Sequence, residues 1–280
     1  MLAREIQQRL QRAATPIYGE REAQVIAYML LEGVWQVTRT MLVVDPTFEV
    51  DEGDLEHVER QVRQARPVQY IIGWAEFCDL KLSVREGVLI PRPETEELVH
   101  WIVVRLRDTP EPRILDVGTG SGAIAIALAT KIEGARVEAL DISPKALEVA
   151  DENIQKCGVD VELIEGDALR GVDCYVEGSY DLIVSNPPYI PQSESTLMRA
   201  NVLDYEPHSA LFVVDDDPLI FYRAIAESAL ELLARGGRLF YELHEEYAQE
   251  CERMLEIMGY SEVELREDIN GKPRMICASR

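Results

Sequence analysis

The run Tyr180-Asp-Leu-Ile-Val-Ser-Asn-Pro-Pro-Tyr189 restricts the fold more than any other stretch of the chain. Leu182, Ile183 and Val184 are β-branched or bulky, continuous rather than alternating, and too few for a helix, so they read as a strand covered on both faces of a parallel sheet. Pro187 and Pro188 then end it. A proline lacks the N–H, fixes its own φ and holds the preceding residue extended, so Asn186 is presented rigidly at the strand's carboxyl end. Open α/β sheets bind their ligands at that end. There the Asn186 side-chain oxygen and the Pro187 carbonyl form a pair of acceptors suited to an NH2 group. Taken alone, the same run reads equally well as a strand followed by a proline-stiffened turn.

The surrounding pattern favours the sheet. Strand Ile114–Val117 leads into Gly118-Thr-Gly-Ser-Gly122 and a helix from Ala123 to Ala129; strand Val137–Leu140 leads into Asp141 and a helix from Pro144 to Cys157. Strand Val161–Ile164 precedes Gly166-Asp167, and the strand before Asn186 is the fourth. A helix around Leu219–Leu233, a turn at Gly236-Gly237, strand Arg238–Glu242, helix Tyr247–Met258 and strands Val263–Leu265 and Met275–Cys277 complete the series, with Asn270-Gly271 turning between the last two. Alternating strands and helices of this kind predict a doubly wound α/β domain with an antiparallel terminal strand.

The first 66 residues differ. Leu2, Ile6 and Leu10 share a helical face, as do Ala23, Ile26, Ala27 and Leu30, and a third helix with Leu55, Val58 and Val62 follows an expected N-cap at Asp54. These predict a small helical bundle. After Pro67 the period changes to two β-type runs, Tyr70–Phe77 and Leu80–Val84, read as a hairpin turning at Cys78-Asp79. Two prolines, Pro91 and Pro93, then lead into a helix bearing Leu98, Val99, Ile102, Val103 and Leu106, with Arg92, Glu94, Thr95 and Glu96 crowded at its start.

Charge narrows the partners. A formal net charge of -23 works against long-range attraction to phosphate backbones, so a protein or small molecule is the expected partner, with neither direct nucleic-acid nor membrane binding. The five cysteines, Cys78, Cys157, Cys174, Cys251 and Cys277, form no Cys-x-x-Cys pair, and no His stands at metal-ligand spacing. Reduced thiols, no metal and a cytoplasmic location are expected. The N-terminus lacks the apolar core of a signal peptide.

The glycines of Asp116-Val-Gly-Thr-Gly-Ser-Gly122 fall where a strand must turn tightly into a helix and let a ligand approach. Asp141, ending the next strand, can accept both hydroxyls of a ribose, as in NAD sites. Asp116 separates the readings, because a carboxylate there opposes a pyrophosphate and tolerates a sulfonium or ammonium cation. No Lys follows the glycines, which disfavours a P-loop. Asp167 can accept the exocyclic amine of an adenine, with Ala168 against the ring. Each acid read singly is also an ordinary helix cap or turn residue.

Together, Asp116–Gly122, Asp141, Gly166-Asp167 and Asn186-Pro-Pro-Tyr189 resemble the S-adenosylmethionine-dependent methyltransferases of planar amide or amine nitrogens. More closely, Arg66-Pro-Val-Gln-Tyr-Ile-Ile-Gly73, Leu89-Ile-Pro-Arg-Pro-Glu-Thr-Glu96, Glu206-Pro-His-Ser-Ala-Leu211 and Phe221-Tyr222 resemble the HemK/PrmC family, the methyltransferases of peptide chain release factors. The resemblance implies a Rossmann-like methyltransferase sheet over residues 93–280, a β-hairpin linker over 67–92 and an N-terminal helical substrate-docking domain over 1–66. It implies N5-methylation of the glutamine in a release factor's Gly-Gly-Gln loop, with S-adenosyl-L-methionine consumed and S-adenosyl-L-homocysteine released. The cofactor residues it implies are Asp116, Gly118, Thr119, Gly120, Ser121, Gly122, Asp141, Asp167, Ala168 and Asn186. Asn186, Pro187, Pro188 and Tyr189 would hold the substrate, with Asn186, Pro187 and Tyr189 carrying catalysis. The chain departs from the family pattern at Phe77-Cys78-Asp79 and at Glu242-Leu-His-Glu-Glu-Tyr247, and neither departure is expected to touch the active site.

Two other functions compete. An adenine-N6 methyltransferase would also use an Asn-Pro-Pro-Tyr slot, on a flipped base, and the acidity of the chain argues against it. A non-catalytic module holding a nucleotide or partner would have no need of Asn186-Pro-Pro-Tyr189.

Overall fold

A computed structural model describes residues 1–171 and 178–280; Cys174 lies outside the described residues. The helices are α1 Ala3–Trp35, α2 Arg39–Val44, α3 Leu55–Arg63, α4 Val68–Ile72, α5 Pro93–Arg105, α6 Ala123–Lys131, α7 Pro144–Cys157, α8 Ala200–Leu203, α9 His208–Leu211, α10 Ile220–Leu232 and α11 Ala248–Met258. The strands are β1 Trp74–Phe77, β2 Leu80–Ser83, β3 Arg113–Val117, β4 Arg136–Asp141, β5 Val161–Glu165, β6 Tyr180–Ser185, β7 Ile190–Pro191, β8 Phe212–Val213, β9 Leu233–Glu242, β10 Ser261–Glu267 and β11 Pro273–Ser279. They divide between two compact units, Met1–Trp74 with Met198–Tyr205, and Ala75–Leu197 with Glu206–Arg280. Residues 67–74 thus group with the helices, and the hairpin beyond them with the sheet, where the sequence reading set a separate linker over 67–92.

The first unit is helical. Glycine interrupts α1 at Gly19 (φ 77°, ψ 166°), which yields the two helical stretches read from the sequence. Ile6, Leu10, Leu30, Leu31, Leu55, Val58 and Val62 form its core. At Gly33 a Cβ would lie 2.5 Å from Ile72 Cγ2, so glycine is what lets α4 approach α1 so closely. Glu59, nearly buried, accepts two hydrogen bonds from Arg9 (2.8 and 3.1 Å), a fork geometry that holds α3 to α1. Asp54 is the N-cap residue of α3, as expected, although its side chain makes no capping bond. One expectation fails here, since Tyr70, Ile71 and Ile72 are helical rather than extended. Pro67 opens that turn and Gly73, at φ 82°, closes it, so the breakers at either end outweigh the β propensity of three residues.

In the second unit β1 and β2 form the expected hairpin. Cys78 and Asp79 take φ of 51° and 69°, the left-handed pair that a two-residue turn of the primed type requires. The main sheet has seven strands in the order β10-β11-β9-β6-β3-β4-β5, with β11 antiparallel to both neighbours. The last strand is therefore antiparallel, as expected, but inserted between β9 and β10. Alternate residues face opposite layers. Ile114, Leu182, Val184 and Phe240 pack with side chains of α5, α6 and α7 such as Leu98, Ile126 and Ile154. Leu115, Val117, Ile183, Leu239 and Tyr241 pack with α10 and α11 through residues such as Ile225, Ala229 and Leu255. This is a doubly wound α/β sheet. Among the described residues no helix is long and apolar enough to cross a membrane.

Candidate active site

Strand order reverses between β3 and β6, because β4 and β5 continue outward from β3 while β9 lies beyond β6. A crevice opens at such a switch point, past the carboxyl ends of the strands. Here it is a cavity of about 310 Å³ lined by the loop after β3, Asp141 after β4, Asp167 and Ala168 after β5, and Asn186, Pro187 and Pro188 after β6. Four segments read separately from the sequence meet in one place.

The glycine loop is held from below. Gly118 and Thr119 donate their N–H groups to the Leu140 carbonyl (2.8 and 3.0 Å), and Gly120 N–H donates to Asp141 Oδ2 at 2.8 Å. Gly118 and Gly120 have φ of 78° and 58°, with no atom within 4 Å of where a Cβ would stand. The loop leaves room for a ligand against its backbone. Asn153, fully buried on α7, steadies the same loop by donating to the Ser121 carbonyl at 2.9 Å and to Ser83 O at 3.0 Å.

Asp141 lines the cavity, and its second oxygen accepts Ser143 N–H at 2.9 Å. Burial raises its carboxyl while these backbone donors pull it down. A carboxylate has about four acceptor positions, so capacity remains for hydroxyls of a ligand. Asp167 accepts Leu169 N–H at 3.0 Å and meets Arg170 at 3.3 Å, so it is a turn residue that also borders the cavity.

Asp116, expected to face the ligand, does not line the cavity. It is fully buried in β3, where Oδ2 accepts the Thr119 hydroxyl at 2.7 Å and Ala125 N–H at 3.2 Å, and Oδ1 has no partner. Burial pushes its carboxyl up to about 7, with Asp141 adding to the rise. A carboxylate at this point of the sequence therefore joins the loop to the start of α6 from beneath. Gly122 and Tyr189 also stand outside the lining. A Cβ on Gly122 would come within 2.9 Å of Ile126 Cδ1.

Behind Asn186 lies a hydrogen-bonded chain that the sequence did not reveal. Asn186 Nδ2 donates to Thr95 Oγ1 at 3.3 Å, and Thr95 donates to Glu242 Oε2 at 2.6 Å. The Tyr189 hydroxyl donates to Glu242 Oε1 at 3.1 Å. Glu242, at the end of β9, is 1% exposed. Burial raises its carboxyl, against the pull of Thr95, Tyr189 and the Arg274 guanidinium. Burial and the neighbouring Glu242 charge push the Tyr189 phenol up strongly. Glu242, at the head of the segment in which the chain departs from the family pattern, therefore stands directly behind Thr95 and Tyr189. Thr95 and Arg92 line the cavity too, as do the exposed apolar side chains of Ile142 and Leu169, which offer flat packing for a ring. The crowding of Arg92 and Thr95 around Pro93 was the signal for the first two.

The lining's charge has a sign. Among its described residues only Asp141, Asp167 and Arg92 carry charge, and Arg92 is paired with buried Glu206 at 2.6 Å. Such a site favours a cationic, ribose-bearing ligand over a pyrophosphate. Outside it, Glu194, His244 and Glu246 bring potential metal-ligating atoms within 4.8 Å of one another, a proximity that sequence spacing did not show. His244 Nδ1 already accepts Glu246 N–H.

Residues 2–73 match the PrmC N-terminal domain and residues 98–209 the methyltransferase small domain. A release factor glutamine methyltransferase of Flavobacterium psychrophilum is 40% identical, across 99% of this chain and 98% of that protein. One of Bacteroides thetaiotaomicron is 46% identical across 81% of each. In fold, a methyltransferase from Pyrococcus furiosus aligns with a TM-score of 0.51 at 20% identity, covering 71% of this chain and 88% of that one. The extent and identity of the sequence matches show that the chain belongs to the release factor glutamine methyltransferase family.

Proposed function

We propose that the protein transfers a methyl group from S-adenosyl-L-methionine to the side-chain amide nitrogen (N5) of the glutamine in the Gly-Gly-Gln loop of a peptide chain release factor. The observation that carries this reading is that Asn186 and Pro187 line the same cavity as the glycine loop and Asp141. An amide-orienting pair and a nucleoside-type cradle thus share one space. The open backbone at Gly118 and Gly120, the spare acceptors of Asp141 and the negative lining suit a cofactor that combines a ribose with a cationic sulfonium. When bound, that cofactor supplies an electrophilic methyl group.

The chain's own residues supply orientation. A glutamine amide nitrogen is a weak nucleophile because its lone pair is delocalised into the carbonyl. Asn186 Oδ1 and the Pro187 carbonyl accept its two N–H bonds, which fixes the plane of the amide and leaves one face of the nitrogen free to attack. As positive charge grows on nitrogen, both acceptors gain, so their stabilisation is larger in the transition state than before it. Tyr189, its hydroxyl tied to Glu242, packs beside the slot. No strong base is required, since a nitrogen-protonated amide is a strong acid.

Asp141→Ala is expected to weaken S-adenosyl-L-methionine binding by about 1–3 kcal/mol, the range for hydrogen bonds to a charged group. Titration calorimetry reads it, and unchanged affinity in a folded variant removes Asp141 from the site. The N-terminal helices are assigned to docking of the release factor. Deleting the residues before Arg66 should spare cofactor binding and impair methylation of whole release factor more than of a short glutamine peptide; equal loss on both substrates counts against docking. The direct test of the activity is mass spectrometry of release factor after incubation with protein and cofactor, which should show a single added methyl group on the Gly-Gly-Gln glutamine.

A further inference from the structure

We infer that Glu242 is a positioning residue that sets which end of the Asn186 amide faces the substrate, acting through the Thr95 hydroxyl. The inference rests on the amide-methylating reading and adds to it the device that makes the slot an acceptor. The two ends of an asparagine amide are nearly identical in shape and opposite in chemistry, since one accepts and the other donates. Packing alone therefore does not choose between them. A slot that receives a substrate NH2 needs Oδ1 outward; with the amide turned over, an NH2 of the protein would face the NH2 of the substrate.

The hydrogen count chooses. Thr95 has one hydroxyl hydrogen and gives it to Glu242 Oε2 at 2.6 Å. An ionised carboxylate only accepts, and the donors Thr95 and Tyr189 and the Arg274 guanidinium favour that form against the burial of Glu242, so the bond runs from Thr95 to Glu242. Thr95 Oγ1 can then meet Asn186 only as an acceptor, which requires Nδ2 to face it, at 3.3 Å, and sends Oδ1 the other way. The second carboxyl oxygen takes the Tyr189 hydroxyl at 3.1 Å, so one buried side chain is bonded both to Thr95 and to the residue that follows the two prolines. Register makes the reach possible. Ser185 pairs with Tyr241, which puts Glu242 beside Asn186 at the ends of adjacent strands, and Thr95 comes from the first turn of α5 behind Pro93. Glu94 of that turn opposes the charge on Glu242, and Arg274 of β11 supports it.

Three substitutions separate polarity from packing. Thr95→Val keeps the shape and removes the hydroxyl; Thr95→Ser keeps the hydroxyl; Glu242→Gln keeps the shape and lets the partner of Thr95 either accept or donate. The first readout is the NMR signal of the Asn186 side-chain amide, identified by its loss in Asn186→Ala. Its protons should exchange slowly with solvent in the wild type and in Thr95→Ser, and faster in Thr95→Val and Glu242→Gln. The second is single-turnover methylation of release factor, where Thr95→Val and Glu242→Gln should lose about tenfold or more in kcat with little change in KM, the scale expected when a reacting group is poorly oriented. Thr95→Ser should recover most of that loss. Wild-type behaviour of Glu242→Gln in both readouts overturns the inference, as does full activity of Thr95→Val with its amide bond lost. If the wild type methylates no glutamine, the proposed function fails, while the exchange of the Asn186 amide still reports whether Glu242 and Thr95 hold it.

Discussion

Asn186→Ala should methylate release factor at least about 100-fold more slowly at saturating cofactor, the scale seen when one preorganised polar partner of a transition state is removed. The fold should survive. Asn186 is only partly buried and its side chain borders a cavity, so truncation enlarges an existing space rather than opening a void in packed core. Thr95 keeps its bond to Glu242 and loses only the long contact from Nδ2. Cofactor affinity should change little, because the acceptors of Asp141 and the glycine loop are untouched. Asn186→Asp is the sharper comparison. It retains an acceptor, but it brings a second carboxylate to a hydroxyl whose one hydrogen already belongs to Glu242, so repulsion should displace it from the position of Oδ1. Its charge can also hold a sulfonium unproductively. The assay runs release factor beside an adenine-containing oligonucleotide. Methylation of the oligonucleotide and not of the protein makes the slot a base-amine site, and full activity of Asn186→Ala removes the amide from the mechanism.

The sheet was legible because its strands are continuous apolar runs ended by glycine, aspartate or proline, signals carried by neighbouring residues. Helix α7 shows how complete such signals can be. Ser143 caps it by accepting Ala146 N–H, Pro144 opens it, and Gly158 closes it in the left-handed region at φ 67°. Tyr70–Ile72 misled for the complementary reason, since three β formers between two breakers have no period of their own. The glycine loop, Asp141 and Asn186 were readable as residue types after strands. The link between Thr95 and Glu242 was not, because they lie 147 positions apart and their hydrogen bond exists only when β9 and α5 converge. Asp116 was readable as a member of the motif but not in its orientation, since alternation along β3 turned it away from the cavity. Motif position identified which residues matter here better than it identified what they touch.

That buried aspartate carries the second large expected effect, a fall in stability as pH rises. The Asp116 carboxyl is raised from its ordinary 3.8 to about 7. Between those values the folded chain holds a proton that the unfolded chain has released, so the native state binds more protons and unfolding free energy decreases with increasing pH. The contribution is fully present below about pH 4 and gone above about 7, close to 4 kcal/mol in all at 1.36 kcal/mol per pKa unit. Carboxylates held below their ordinary values by partners, such as Glu59 beside Arg9 and Asp217 beside Arg223, act with the opposite sign and lose their contribution only on acidification. Asp116→Asn separates the two. Asparagine oxygen can still accept the Thr119 hydroxyl and Ala125 N–H, while its NH2 brings two donors to the place where Oδ1 has no partner and the protonated acid brings one, so the extra unpaired donor costs about 1–3 kcal/mol at every pH. The variant should therefore be less stable than the wild type at pH 5, and the gap should narrow or reverse by pH 8, because only the wild type must ionise a group sealed under the glycine loop. Urea unfolding at pH 5, 6, 7 and 8 measures the difference. Parallel curves for the two proteins would mean that Asp116 ionises in the fold as it does in the open chain, and that the donors from Thr119 and Ala125 fully offset its burial.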